Sequence, residues 1–356
     1  MEDGKMKRTH SKGLLWLGTF LLILLGCSES NQENTILETP YEGSEFLMGT
    51  YVTLRVYDEG KEEVLEEAFA RIAELSDKIT TNEPGSEMEE VNQAAGQEAV
   101  VVSDDVFPLV ETAAEYSALP NSGFDYTIGP ITDLWRIGFD DARVPEPEEI
   151  EAVLPLVDYS KVELNAEDRS IYLQEEGMRI DLGAIAKGYI ADEVAKLFSD
   201  AGVTTAILDL GGNIVVMGDS PTRDTGGFNV GVQDPFDLRG SYIGAINLQD
   251  KSIVTSGIYE RYIEQEGELY HHLMNPKTGY PFDNSLASVT IISDLSVDGD
   301  ALSTVAFGYG LEDGLNYLNN LEDVEGVFIT KDRDVYLTDG LTDNFSLTND
   351  EYTLIE

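Results

Sequence analysis

The sequence predicts an α+β fold, with mixed or antiparallel sheets and packed helices in a single large domain of one or two lobes. Three observations point there. Apolar residues make up 42% of the 356-residue chain, enough for a core despite 68 acidic against 22 basic side chains and a formal charge of −46. Strand-like and helix-like patterns come in separate runs, which argues against a doubly wound α/β sheet. No period of 20–50 residues recurs, so a solenoid is excluded. Composition also excludes functions. A surface this acidic repels a phosphate backbone, so nucleic acid is not a partner. One cysteine precludes an internal disulfide, and three histidines argue against a zinc cage of Cys and His.

In chain order, the first feature is an address. Lys5, Lys7, Arg8 and Lys12 precede an apolar run from Leu14 to Leu25, short for a membrane span and suited to a signal-peptide core. The run ends in Leu24-Leu25-Gly26-Cys27, which resembles the bacterial lipobox. That resemblance implies removal of residues 1–26 and a lipid on Cys27, the alternative being an uncleaved anchor with an incidental cysteine. Loss of the leader removes two carboxylates and four cations, leaving 66 acidic against 18 basic side chains and a charge of −48. Its imidazoles are then His271 and His272, and its one tryptophan is Trp135. Residues 27–42 read as a polar tether and 43–356 as the folded domain. The acidity is spread along the chain, as a docking surface for a basic partner or, more simply, as a surface solvated in high salt.

Within the domain, residues 46–57 are rich in β-branched and aromatic residues and predict a strand. Residues 62–79 place apolar side chains at helical spacing. Residues 103–117 predict a second helix with Ser103 as N-cap. Residues 123–138 read as irregular and aromatic, and 141–158 as a surface connection with a short helix. A third helix is expected over 182–201, after a glycine-containing turn, and a strand over 205–210. Strands near 228–232, 242–248, 252–255, 268–273 and 287–292 follow. Helices from about 300 to 310 and from 311 to 318 precede final strands near 326–330 and 334–338.

Three segments carry chemistry. Asp181-Leu182-Gly183-Ala184-Ile185-Ala186-Lys187-Gly188-Tyr189 sets a carboxylate, glycines and a lysine around a helix start, where free N–H groups attract phosphate. An ordinary capped helix with a surface lysine reads equally well. His271 and His272 stand at the mouth of a turn set by Pro276 and Gly279 and, on a strand, point to opposite faces. Asp300 and Thr304 are four residues apart on one helix face and offer hard oxygens suited to Mg²⁺, although an Asp N-cap with a buried Thr is the simpler reading of that segment alone.

Taken in order, Met48-Gly49-Thr50, Phe124-Asp125-Tyr126-Thr127-Ile128-Gly129-Pro130, Leu134-Trp135, the Asp181–Tyr189 segment, Leu210-Gly211-Gly212-Asn213, Thr255-Ser256-Gly257 with Tyr259-Glu260-Arg261, His272-Leu273-Met274-Asn275-Pro276 with Thr278-Gly279, and Asp300 with Thr304 resemble the ApbE family of FAD:protein FMN transferases. These are Mg²⁺-dependent lipoproteins or periplasmic proteins of bacteria. The resemblance runs from about residue 46 to 310 and implies transfer of FMN from FAD to a Thr or Ser hydroxyl of a target protein, with AMP leaving.

The resemblance implies Mg²⁺ on the side chains of Asp300 and Thr304 and the backbone carbonyl of Ala184, where family members often carry Gly or Ser. It implies a flavin nucleotide lined by Met48, Asn82, Gly123, Phe124, Asp125, Asp181 and Leu273, with Lys187 adding positive charge at the pyrophosphate. Phe124 reads alternatively as core. His272 is the candidate for proton transfer or for orienting the phosphoryl group, with His271 facing away, and Asp300 is counted as catalytic. The partners implied are FAD and flavin-acceptor subunits of Nqr- or Rnf-like membrane redox complexes, met in the cell envelope on the periplasmic side. FAD pyrophosphatase and a non-catalytic FAD-binding lipoprotein are the competing readings.

Overall fold

The computed structural model describes residues 35–81, 84–223 and 226–355. Their frame is a nine-stranded sheet in the order Ile36–Leu47, Thr50–Asp58, Ala206–Leu210, Asn213–Met217, Lys251–Gly257, Leu286–Ser293, Glu325–Thr330, Asp334–Leu337 and Thr353–Leu354. All neighbours are antiparallel except the last two, which are parallel. Alternation assigns the two faces. Val52, Leu54 and Val56 join the core under the helices, whereas Tyr57 packs with a three-stranded sheet of Phe228–Gln233, Tyr242–Leu248 and Phe345–Leu347 on the other side. Leu286–Ser293 is buried along its whole length, as befits a strand covered on both faces.

The helices are α1 (Val64–Ile79), α2 (Glu87–Gln93), α3 (Phe107–Ser117), α4 (Gly129–Trp135), α5 (Pro147–Val153), α6 (Ala186–Asp200), α7 (Ser296–Tyr309) and α8 (Leu311–Leu318). The α+β class is as the sequence predicts, and several boundaries move for identifiable reasons. The strand expected over 46–57 is two strands. Leu47 pairs with Thr50, and Met48 and Gly49 between them have φ of 52° and 71°, the doubly positive turn that suits a two-residue hairpin. The first strand begins at Ile36, so residues 36–42 are paired backbone and not tether; edge pairing tolerates their polar side chains. Ser103 is not an N-cap. The helix starts at Phe107 with Pro108 in its first turn, the place where a missing N–H is harmless, and Ser103 accepts the Val106 and Phe107 N–H groups through its carbonyl. The irregular stretch 123–138 contains α4, and Gly211-Gly212 turns into a further strand, Asn213–Met217.

One crossing positions the site. α6 and α7 approach so closely that a Cβ on Gly188 would lie 2.2 Å from the Ser296 carbonyl oxygen. Each helix then supplies a carboxylate to the other. Asp192 of α6 accepts the Ser296 and Val297 N–H groups at 2.8 Å each, capping α7, while Asp300 of α7 accepts the Gly188 N–H at 2.9 Å. This remote cap is why α7 begins at Ser296 and not near Asp300. Burial raises the Asp192 pKa to about 6 even with these two hydrogen bonds. Gly188→Ala is expected to destabilise the protein by about 1–3 kcal/mol, as overpacking against backbone does. Urea unfolding of the two proteins measures it, and equal midpoints would show that the helices separate without loss.

Candidate functional site

A cavity of about 270 Å³ opens where the turn before α6, the middle of α7, the end of strand Lys251–Gly257 and α4 converge. Its wall includes Gly123, Phe124, Asp125, Asp181, Ala184, Lys187, His272, Leu273, Asp300 and Thr304, ten of the residues singled out in the sequence. Cys27 and Asn82 lie outside the described residues. Met48 is described and does not line the cavity. It forms the hairpin tip in a left-handed conformation and packs against the main core.

The hard-oxygen set survives a direct test. In a regular helix the Gly188 N–H would bond to the Ala184 carbonyl, but it is given to Asp300 Oδ2, and no backbone N–H of the described residues takes the Ala184 oxygen. Thr304 is a buried residue at the same cavity, and its hydroxyl has no hydrogen-bond partner among the described residues. Asp300 is buried too, with Oδ1 3.6 Å from Lys187 Nζ. A free carbonyl, a free hydroxyl and a carboxylate fit a Mg²⁺ that keeps waters and phosphate oxygens in its other positions. No group of three or more His, Cys, Asp or Glu among the described residues is disposed to hold a metal. Lys187 Nζ also donates to Asn213 Oδ1 at 2.5 Å, which steers the ammonium along the cavity wall.

The two histidines do face different surroundings, but the strand expected over 268–273 ends at His271, so alternation along a strand does not account for His272; His271 is buried and not solvent-facing. Its Nδ1 accepts the Leu273 N–H at 3.3 Å, so Nε2 carries the proton and donates to the Phe282 carbonyl at 3.0 Å. His272 lines the cavity with Nδ1 3.3 Å from the Arg261 carbonyl, which places the proton on Nδ1 and leaves the Nε2 lone pair free. Burial, helped by the Arg261 charge, pushes its pKa down to about 3, so the ring is neutral at ordinary pH.

The expected acceptors are partly committed already. Asp181 takes the Gly183 N–H on Oδ1 at 2.8 Å and the Thr132 hydroxyl on Oδ2 at 2.7 Å. Asp125 takes the Thr127 N–H and hydroxyl and is raised in pKa by burial. Each carboxylate keeps spare lone pairs for a ligand. Phe124 belongs both to the core and to the wall. Sequence reasoning assigned no role to Thr132, Arg136, Phe139, Arg179, Glu260 or Arg261, all of which line the cavity. Arg136 ends α4 in a left-handed conformation with its guanidinium 4.5 Å from the centre of the Phe139 ring. Arg179 is ion-paired to Glu89 and Asp133, and also donates to the Thr81 carbonyl. Burial pushes the Glu260 carboxyl up, against the pull of Lys187. The Tyr259-Glu260-Arg261 run was visible as a motif, but nothing local said that its backbone would orient a histidine eleven residues on.

The fold and wall define a class, an α+β protein with a nucleotide-sized cavity that combines hard oxygens, a lysine and a neutral histidine. The chain belongs to the ApbE family, whose model matches residues 48–328. It is 39% identical over 316 residues to an FAD:protein FMN transferase of Klebsiella pneumoniae (strain 342), covering 89% of this chain and 97% of that protein. It is 31% identical over 353 residues to one of Treponema pallidum (strain Nichols), covering 95% and 97%. Among solved structures, an ApbE protein from Thermotoga maritima superposes with a TM-score of 0.78 at 27% identity, covering 85% of this chain and 98% of that one. The flavin transferase ApbE of Vibrio cholerae gives 0.72 at 26%, covering 86% and 96%.

Burial lowers the His271 pKa from 6.5 to about 4, so the fold favours the neutral ring. Stability from this residue is full above pH 6.5 and drains as pH falls towards 4, by up to about 3 kcal/mol. Asp192, raised in pKa, acts in the opposite sense over part of this window, so the comparison is between wild type and His271→Gln. Unfolding midpoints from pH 7 to 4 should fall less steeply in the variant; parallel curves would mean that His271 is not held neutral.

Proposed function

We propose that this chain transfers FMN from FAD to a Thr or Ser hydroxyl of a target protein with the help of Mg²⁺, as a lipoprotein held by Cys27 on the periplasmic side of a bacterial membrane. The observation that carries the metal-dependent reading is that, among the described residues, the Ala184 carbonyl beside Asp300 has no N–H partner and the Thr304 hydroxyl no hydrogen-bond partner. Flavin transfer from FAD is the activity named for the relatives that match most of the chain.

The chemistry needs a clamp, a base and shielding from water. FAD binds with its pyrophosphate towards Lys187, which offsets the negative field of the protein. Bound Mg²⁺ supplies Lewis-acid charge at the pyrophosphate, held by Asp300, Thr304 and the Ala184 carbonyl. The acceptor hydroxyl attacks the phosphorus on the FMN side, a phosphoester bond forms, the P–O–P bridge breaks and AMP leaves. His272 Nε2 is the base within the wall that takes the hydroxyl proton. Its resting pKa near 3 makes it a weak base, and an anionic pyrophosphate beside the ring would raise it by stabilising the imidazolium. Met48 and Asn82 are kept as flavin-nucleotide contacts on the resemblance alone. The targets are flavin-carrying subunits of Nqr- or Rnf-like redox complexes.

Incubation with FAD, Mg²⁺ and a soluble flavin-acceptor domain of such a complex separates the readings by mass. A protein adduct of FMN supports transfer, free FMN alone supports hydrolysis, and intact FAD held stoichiometrically supports a binder. His272→Ala is expected to lower kcat for transfer by about 10²–10⁴, the usual loss of a general base. Asp300→Ala should abolish transfer and its Mg²⁺ dependence, and Lys187→Ala should weaken FAD binding. Unchanged transfer in His272→Ala would assign the proton to another group.

A further inference from the structure

Large apolar side chains are exposed on the hairpin of the first two strands and on the loop joining Phe228–Gln233 to Tyr242–Leu248, and the fold does not need them there. Phe46 and Tyr51 face each other across the hairpin of the first two strands, with ring centroids 5.4 Å apart, and are 64% and 70% exposed. Leu238 is 81% exposed at the tip of loop 234–241. That loop is built, not slack. The Asp234 N–H donates to the Ser241 carbonyl, the Gly240 N–H to Gln233 Oε1, and the Tyr352 hydroxyl from the C-terminal segment to Asp234 Oδ1. A rigid loop that holds a leucine in water gains nothing from the leucine.

Both features meet at the Gly211-Gly212 turn. Thr50 packs so tightly on Gly211 that a Cβ there would collide with its side chain, and Arg239 donates to the Gly211 carbonyl at 2.6 Å. The next residue, Asn213, receives Lys187 Nζ at the cavity wall. A chain of contacts through Gly211 and Asn213 thus links the rim to Lys187 of the proposed reaction site, and the Arg239 charge is felt by Glu260 there.

Charge says what the rim would receive. Most cations of this acidic chain are spent on internal ion pairs, as with Arg55–Glu42, Arg136–Asp141 and Lys251–Asp294. Arg239 is exposed and has no carboxylate within 4 Å among the described residues. Among the described residues its one hydrogen bond is to a backbone carbonyl. A basic partner would find carboxylates over the rest of the surface. An apolar segment with a carboxylate finds its complement here.

We propose that Phe46, Tyr51, Leu238 and Arg239 form the docking rim for the acceptor protein, taking an apolar side chain against Tyr51 and Leu238 and a carboxylate on Arg239 beside the hydroxyl to be modified. This rests on the transferase reading above. Arg239 and the apolar residues act on the acceptor, not on FAD, which separates the two in a kinetic test.

The test uses full-length Leu238→Glu, Tyr51→Glu and Arg239→Glu proteins with the acceptor domain named above, following both FMN adduct and free FMN. The expected result is a rise in KM for the acceptor of at least about tenfold in each, as loss of an interface anchor gives. Half-saturation by FAD should stay within about twofold in Leu238→Glu and Tyr51→Glu. Lysine in place of the acceptor carboxylate nearest its modified hydroxyl should restore transfer by Arg239→Glu. Unchanged acceptor KM in all three variants overturns the docking rim while leaving the transferase reading intact. Wild-type protein that yields only free FMN overturns the transferase reading, and the rim with it.

Discussion

The close crossing of α6 and α7 at Gly188 is the constraint on which the site depends. Two helices rarely bring backbone to within contact distance, and here the absence of a side chain at one residue permits it. The crossing lets each helix satisfy the other's exposed N–H groups with a carboxylate. In doing so it diverts the Gly188 N–H from the Ala184 carbonyl, and a carbonyl denied its helical partner becomes available for other chemistry. A hydrogen bond that closes the fold thus opens the site. Thr304, one turn beyond Asp300, is then held at the same wall with no hydrogen-bond partner for its hydroxyl among the described residues.

Much of this was legible in the sequence, and the limits have physical causes. Asp300 and Thr304 share a face because of helical periodicity, which follows from local geometry alone; the division of His271 from His272 does not, because the strand ends at His271. The α+β class followed from the grouping of patterns. The start of α7 was not legible, because its cap is Asp192, more than a hundred residues away in the chain. The hairpin at Met48-Gly49 was hidden because methionine is a poor signal for a left-handed turn, where asparagine or glycine is usual. Arg179 gave no signal because an arginine among acidic neighbours looks alike whether it crosses a wall of the cavity or lies on the surface.

The electrostatics of the molecule run against its substrate. Sixty-eight carboxylates repel a dinucleotide, and the cavity answers with few cations, of which Lys187 is tied to Asn213 and lies near Asp300. Attraction must therefore be short-ranged and confined to the cavity, where low polarisability strengthens each charge. Burial disfavours the charged forms of both Glu260 and His272; the first eases repulsion of the anion, while the second withholds a positive charge until the anion is bound.

The carbonyl that orients His272 belongs to the backbone of Arg261. In many enzymes the corresponding partner is a carboxylate side chain, which a single substitution deletes. A main-chain oxygen is present whatever residue stands at 261. The choice of tautomer is thereby insulated from sequence drift at that position, and only a change in the path of the Gly257–Arg261 turn would disturb it.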